Sequence, residues 1–403
     1  MKRLMIGLSS ALALGMVGCE QSQPPAQPLP TAAELSTSPG GSFPATINDH
    51  LTHSAFDSYL QAYASSEALQ GAVSALIGQP DSATLAAARS AWRDSYSAFL
   101  RTRLYGFLPI SDPVEWQRQG VNFHQIVNQI DSWPIEGGYL DYLPGYPFTG
   151  IVNDLALPLT PEALRQQHGF SDPASVSLGF HAIEFLLWGS DGQRDASDYV
   201  LPANNSSSSS SSSEPAPDAV TNQKRRRQYL QLVTAQLLDH QHLLQSRWQQ
   251  VDGYYAQLVT SSTPSAALQA GMSACAWLIR TELLAKRLPG NSSEFSDTSQ
   301  QDIQALLQGM QLWLLGNESQ EGALISLLGD KHPELLAQWQ AALTQALTPV
   351  SETARAEPTD TSATPAEAAA EIPAATSQVD HIKQLDSLLQ QTASLLRLTL
   401  PNT

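Results

Sequence analysis

Apolar residues recur at spacings of three, four and seven along most of this chain, and strand-like alternation is rare, so the pattern predicts helices almost throughout. The first helical stripe begins near Ile47 and runs through Phe56, Tyr59, Leu60, Tyr63 and Leu69. A second starts at about Ser82 and carries Leu85, Ala88, Trp92, Phe99 and Arg103. Gly106, Pro109 and Pro113 make Tyr105 to Gly120 irregular, and helix resumes from Val121 to Ser132 before Trp133 and Pro134. Further on, Tyr229, Val233, Leu237, Leu244, Trp248, Val251 and Tyr255 mark one long helix, and Pro264 opens another that ends near Leu288. Helices are also expected over Ser299 to Leu315, Gln320 to Leu328 and Pro333 to Leu347, with a last stripe from Val379 to Leu400 that docks on the body.

One segment departs from the amphipathic rule. Ser171 to Gly189 reads as a short helix, with Asp172 as cap, Pro173 at the first position and Gly189 as the stop. Val176, Leu178, Phe180, Ile183, Phe185, Leu186, Leu187 and Trp188 cover all its faces, the pattern of a helix inside a bundle. His181 and Glu184, at i and i+3, project to the same side of it. Burying such a pair without partners costs several kcal/mol once charge is involved, on the order of what a domain can spare. Three arrangements satisfy it: a metal ion held by imidazole and carboxylate, a polar knot in which Glu184 meets an arginine, or acid/base chemistry by Glu184 with His181. Among Arg89, Arg93, Arg101 and Arg103, the last is the favoured counter-ion because it falls on the apolar stripe.

Composition divides the chain. Residues 1–18, with Lys2 and Arg3 before an apolar run, read as a secretory signal. Cys19 after Gly18 is similar to the lipobox of bacterial lipoproteins and is the expected lipidation site, with residues 19–42 a Pro-, Gln- and Ser-rich tether. The expected place is the cell envelope, anchored by lipid to the outer membrane and facing the periplasm. A helical domain over 43–202 is followed by a Ser-rich linker, 203–221, holding eight consecutive serines from Ser206. A second helical domain covers 222–348, a low-complexity insert 349–378 and the terminal helix 379–400. The expectation is therefore an all-α protein of two helical-bundle-like domains packed together.

Charge and cysteine count exclude several classes. The chain holds 21 basic and 38 acidic residues; without Lys2 and Arg3 the balance is 19 against 38, a net charge of −19. Nucleic-acid binding needs a cationic footprint and is not expected. Two cysteines, one of them Cys19, leave no disulfide framework, and Cys275 reads as a small core residue. Haem has no attachment motif. Secondary clusters read as structural: Asp49, His53 and Asp57 with His50 adjacent as dipole partners or a surface cation site, Asp239, His240 and His242 as a solvated face, Lys224 to Arg227 as a basic run that pairs with acidic surface or is cut, and Arg280 with Glu282 as a pair.

Gly179, His181 and Glu184 match a GxHxxE signature, and GFHAIEFLLWG as a whole resembles the corresponding segment of the imelysin-like family. AWRDSY at Ala91 to Tyr96, IDSWP at Ile130 to Pro134, RQYL at Arg227 to Leu230 and EFSDTSQQDI at Glu294 to Ile303 follow in the family's order, with Thr298 where the family has asparagine. The resemblance covers about Phe43 to Leu347. It implies a two-bundle helical fold and a bacterial envelope protein linked to iron uptake, with His181 and Glu184 as metal ligands and Gly179, Ser296, Asp297 and Asp302 as further site candidates beside the counter-ion Arg103 read from the apolar stripe. The implied cargo is iron or an iron carrier, with an envelope iron-transport protein as partner. Zinc is the alternative, because some members are named metallopeptidases. Peptidase chemistry is the weaker reading, since neither HExxH nor HxxEH occurs in this chain. A purely structural envelope module, in which the pair only locks a bundle, is the third.

Overall fold

The structure, a computed structural model, describes residues 43–201, 222–317, 320–348 and 373–402. The signal, the lipidated tether, the serine run and residues 349–372 of the insert lie outside the described residues.

Two helices lay the foundation. Helix α1 (Thr46–Gly78) and α2 (Ser82–Arg101) form an antiparallel hairpin. The turn between them ends in a reciprocal cap: Asp81 accepts from the Thr84 backbone while the Thr84 hydroxyl accepts from the Asp81 amide. The next helices are α3 (Phe123–Ile130), α4 (Pro161–Gln167), α5 (Gly179–Trp188) and the long α6 (Asn222–Arg247); α5 and α6 lie against the hairpin, α3 packs on both of them and α4 on α6. Then follow α7 (Tyr254–Ser261) and α8 (Pro264–Trp277), continued by a π-helical stretch, Leu278–Arg287. Helices α9 (Ser299–Leu315), α10 (Ala323–Leu328), α11 (Pro333–Leu347) and α12 (Pro373–Leu396) complete the described chain. Its strands are a two-residue ladder, Gly316–Asn317 with Gln320–Glu321, the second of which stands where the sequence predicts the start of a helix.

The fold is all-α, as expected. Helices from both sides of the serine run meet in one contiguous hydrophobic cluster. Tyr59 of α1 stacks on Trp248 just past α6, with centroids 6.4 Å apart, and α9 packs on α2. A Cβ on Gly309 of α9 would stand 2.2 Å from the Arg101 carbonyl, so only glycine permits that approach. Helix α12 starts at Pro373, inside the segment read as an insert, and buries Ile382, Leu385 and Leu389. Arg280 fastens it by pairing with Asp386 at 2.7 Å, in place of the expected partner Glu282.

Helix α5 sits at the centre, and all ten of its residues are buried. It is shorter than the sequence suggests. Residues 171–178 form turns, and Asp172 and Pro173 belong to those turns, where Asp172 accepts from Ala174. A buried helix end needs partners for its last carbonyls. Here Tyr199 donates to Leu186, Arg89 donates to Leu187 and the Gly189 amide donates to Phe185.

Candidate functional site

The first residue of α5 explains the glycine of the motif. Gly179 has φ +83°, and a Cβ there would lie 2.3 Å from the Ile130 carbonyl. The helix therefore begins pressed against the last turn of α3, and the next residue of that turn is Asp131. Two residues on, the His181 ring lies between two carboxylates. Its Nδ1 is 2.9 Å from Glu184 Oε2 and its Nε2 is 3.2 Å from Asp131 Oδ1. Tyr96 of α2 stands over the Nε2 side, donating to Asp131 Oδ1 at 2.8 Å with its oxygen 3.1 Å from Nε2.

The second half of the chain closes the cluster. Arg287 donates to Asp131 Oδ2 at 2.7 Å, to the Tyr96 oxygen at 2.8 Å and to Glu282 Oε1 at 2.8 Å. The π-helical turn makes that last pair: one extra residue per turn brings Glu282 and Arg287, five apart, onto one face, whereas α-helical spacing would match Glu282 with Lys286. The Trp133 indole covers Arg287, with its guanidinium 5.0 Å from the ring centre. The loop before α9 supplies Ser296, whose amide and hydroxyl both donate to Glu184 Oε1, at 2.8 and 2.6 Å. His181 and Glu184 are 1 % and 0 % exposed, so every one of these bonds replaces water.

The charge states follow from this enclosure. Burial alone would lower the His181 pKa, but hydrogen bonds to Asp131 and Glu184 outweigh it and lift the pKa to about 9. The ring is an imidazolium at neutral pH, donating through both nitrogens. Burial would raise the Asp131 carboxyl; Arg287 and His181 instead hold it well below the usual carboxylate range. Asp302 differs: burial dominates and pushes it up to about 6, while Ser292 and Ser293 donate to its Oδ2 at 2.7 and 2.6 Å. Arg287 is 4.0 Å from that oxygen.

Of the residues singled out from sequence, His181, Glu184, Gly179 and Ser296 come together here, and Asp302 borders them across Arg287. Arg103 is not the counter-ion of Glu184. It pairs with Glu282 at 3.5 Å, and Glu184 is held by His181 and Ser296. Asp297 is exposed with φ +55°, where it turns the chain into α9, while Thr298 contributes its hydroxyl, 3.0 Å from that of Ser296. Tyr96, Asp131 and Arg287 were missed. The first two lie within AWRDSY and IDSWP, a signal of resemblance only; Arg287 has none, since its register depends on the π turn.

The lesser clusters resolve as structure. His53 bonds the Asp49 carbonyl rather than its carboxylate, and His50 bonds the Trp313 carbonyl at 2.8 Å. His240 is half-buried rather than solvated, and His242 lies against Tyr63. In the basic run, Arg225 donates to the carbonyls of Ile151, Val152, Asp154 and Leu157, and Arg226 binds the buried carboxylate of Asp141. Cys275 is buried, and its thiol is pushed far above the ordinary range. Among the described residues no three His, Cys, Asp or Glu side chains converge as a metal site, and no helix is long and apolar enough to cross a membrane.

The family model for imelysin matches residues 55–395. The chain belongs to the imelysin family. Two solved structures are similar to it. One is a protein of Parabacteroides distasonis described as an iron-regulated protein A precursor, 14% identical, covering 89% of this chain and 98% of its own, with a TM-score of 0.56. The other is an imelysin-like protein of Psychrobacter arcticum, 15% identical with the same two coverages and a TM-score of 0.54. Those likenesses show that the imelysin fold is shared. A comparison with curated proteins finds no match.

Proposed function

We propose that this imelysin-family chain is a non-enzymatic iron-uptake protein of the bacterial cell envelope, lipid-anchored through Cys19, that takes up an iron ion at the His181 centre in exchange for protons. The supporting observation is a triangle of donor atoms. His181 Nε2, Asp131 Oδ1 and the Tyr96 oxygen stand 3.2, 3.1 and 2.8 Å apart. Ligands about 2.1 Å from one ion at right angles stand about 3.0 Å apart, so the triangle has the size of one face of an octahedron. Phenol oxygen, carboxylate and imidazole form a mixed O and N donor set, and geometry rather than raw affinity selects among metals for such a set. Glu184 then holds the other ring nitrogen, the supporting carboxylate that a metal-binding histidine commonly has. Family membership and the description of the Parabacteroides protein as iron-regulated favour iron over zinc.

The cost of entry is defined by the same geometry. His181 must give up a proton, which at pH 7 weakens binding about 100-fold relative to a free imidazole for a pKa of about 9. Tyr96 must give up a proton as well: burial holds its phenol well above the usual range, Arg287 offsets part of that but repels the ion, and Glu282 and Asp302 lie beside the guanidinium. Calorimetric titration of the protein with ferrous, ferric and zinc ions tests the reading. Binding that strengthens with pH and is lost in His181→Ala and Tyr96→Phe is expected. Absence of binding, or binding indifferent to both changes, overturns it.

A structural role for the pair has its own support, since every polar atom of His181, Glu184 and Asp131 already has a protein partner. Under that reading Glu184→Ala lowers the melting temperature and leaves metal affinity unchanged. Zinc peptidase chemistry has less: both oxygens of Glu184 are engaged, leaving no free carboxylate to polarise a water.

A further inference from the structure

Helices α1 and α6 run antiparallel, and their facing residues can be followed along the seam. Tyr59 stacks on Trp248, Tyr63 lies against His242, and beyond them Gln70 to Ser74 comes opposite Gln228 to Ala235. Packed helices ordinarily fill such a seam with interdigitated side chains. Here Ser74, Thr234 and Ala235 are too small to do so, and a cleft of about 350 Å³ opens between the two helices, within the range of small-molecule sites. None of the residues lining it takes part in the His181 centre.

The lining is neutral throughout. Its apolar part is the buried Val73 with the half-buried Leu232 and Ala235. Its polar part has amides on both banks. Among the described residues no hydrogen bond engages the side chain of Gln70 on α1 or of Gln231 on α6, and Gln228 gives one N–H to the Leu159 carbonyl at a long 3.3 Å, keeping its own oxygen open. Ser74 and Thr234 donate to carbonyls of their own helices, at Gln70 and Leu230, which leaves their oxygens as acceptors. The charges one turn away are occupied elsewhere: Arg227 donates to the Tyr199 carbonyl, and Glu67 meets the Tyr63 hydroxyl.

This chemistry restricts the occupant. An ion would enter without a counter-charge, and burial would cost it hydration that neutral groups do not replace. A purely apolar ligand would strip water from the amides and leave them unpaired. The lining suits a neutral molecule whose edge both gives and takes hydrogen bonds, as a primary amide does, and whose face is C–H. We infer that the cleft between α1 and α6 is a binding site for a neutral saccharide of one or two pyranose rings. Its hydroxyl or acetamido edge meets Gln70, Gln228 and Gln231, and a ring face lies on Val73 and Leu232. The site requires neither His181 nor a metal.

The test is a saturation-transfer NMR titration of the full chain with N,N′-diacetylchitobiose and with chitobiose, the same disaccharide carrying two ammonium groups in place of its acetamides. Saturable binding of the neutral sugar is expected, weakened roughly fivefold, the worth of one hydrogen bond, in Gln70→Leu and again in Gln231→Leu. Neither side chain is bonded in the protein, so both variants should keep the parent unfolding midpoint, and His181→Gln should bind the sugar as the parent does. The cation should bind more weakly still. A chain of net charge −17 attracts cations from a distance, so the opposite order would mark a non-specific contact and overturn the inference. Absence of saturable binding, or binding indifferent to both glutamine changes, overturns it as well.

Discussion

Among the described residues, two of the buried ionic clusters, one at Asp141 and one at His181, differ in an instructive respect. At Asp141, two arginines converge on one carboxylate: Arg226 at 2.6 Å and Arg194 at 2.9 Å, the latter also reaching Asp198 at 2.8 Å. At His181, Asp131 is likewise bound by an arginine, Arg287, but its other oxygen faces a phenol and an imidazolium. The first cluster holds aspartates, arginines and a phenol, Tyr142, which donates to Asp198 at 2.7 Å, but no imidazole, and it shapes a loop. The second sets a phenol and an imidazolium against the same carboxylate oxygen, two groups that can release protons and then bind a cation. A buried ion pair is by itself weak evidence of function; the chemistry of the remaining neighbours separates the clamp from the site.

Removing an arginine from each cluster should give the largest contrast. Arg287→Met takes from Asp131 and Glu282 the buried cation they share, leaving only the longer ion pairs with His181 and Arg103, and should cost about 3–5 kcal/mol in denaturant unfolding. Arg226→Met should cost less, about 2 kcal/mol, because Arg194 still neutralises Asp141. Equal losses would mean that the clusters are the same kind of object.

The pH dependence of stability sharpens the contrast. The His181 pKa is raised from 6.5 to about 9, so the stability it contributes is complete below pH 6.5 and is lost as pH rises through 9. The shift corresponds to about 3 kcal/mol. Denaturant titrations at pH 6 and pH 9.5 should show this loss in the parent chain and not in His181→Gln. The clamp holds no histidine, and Arg226→Met should keep the full pH dependence. The smallest effect belongs to Asp198→Asn, whose carboxylate is partly exposed and should contribute under about 1 kcal/mol, with no change in metal affinity.

The sequence made the frame legible and half of the site. Starts at Ser82 and Pro333 are where the structure has them, because the Asp81 cap marks one and a proline the other. Asp172-Pro173 carries a similar signal and misleads, since the same pair also builds a tight turn. His181 and Glu184 stood out because polar residues in an all-apolar helix demand partners. Their partners could not be read. Asp131 ends a different helix, Tyr96 sits on an ordinary amphipathic face, and Arg287 reaches the centre only because α8 continues as a π-helix, a change of register that leaves no mark on hydrophobic periodicity. Arg103 failed for the same reason: the π turn places Glu282, not Glu184, within its reach.

The central claim is that Tyr96, Asp131 and His181 form one cation-binding face. Ferric iron ligated by a phenolate absorbs visible light through charge transfer, so the most direct test is the absorption spectrum of the protein titrated with ferric nitrilotriacetate at pH 8. The account predicts a visible band that saturates at one iron per chain, disappears in Tyr96→Phe and persists in Asp198→Asn. A colourless protein, or a band that survives in Tyr96→Phe, would contradict it.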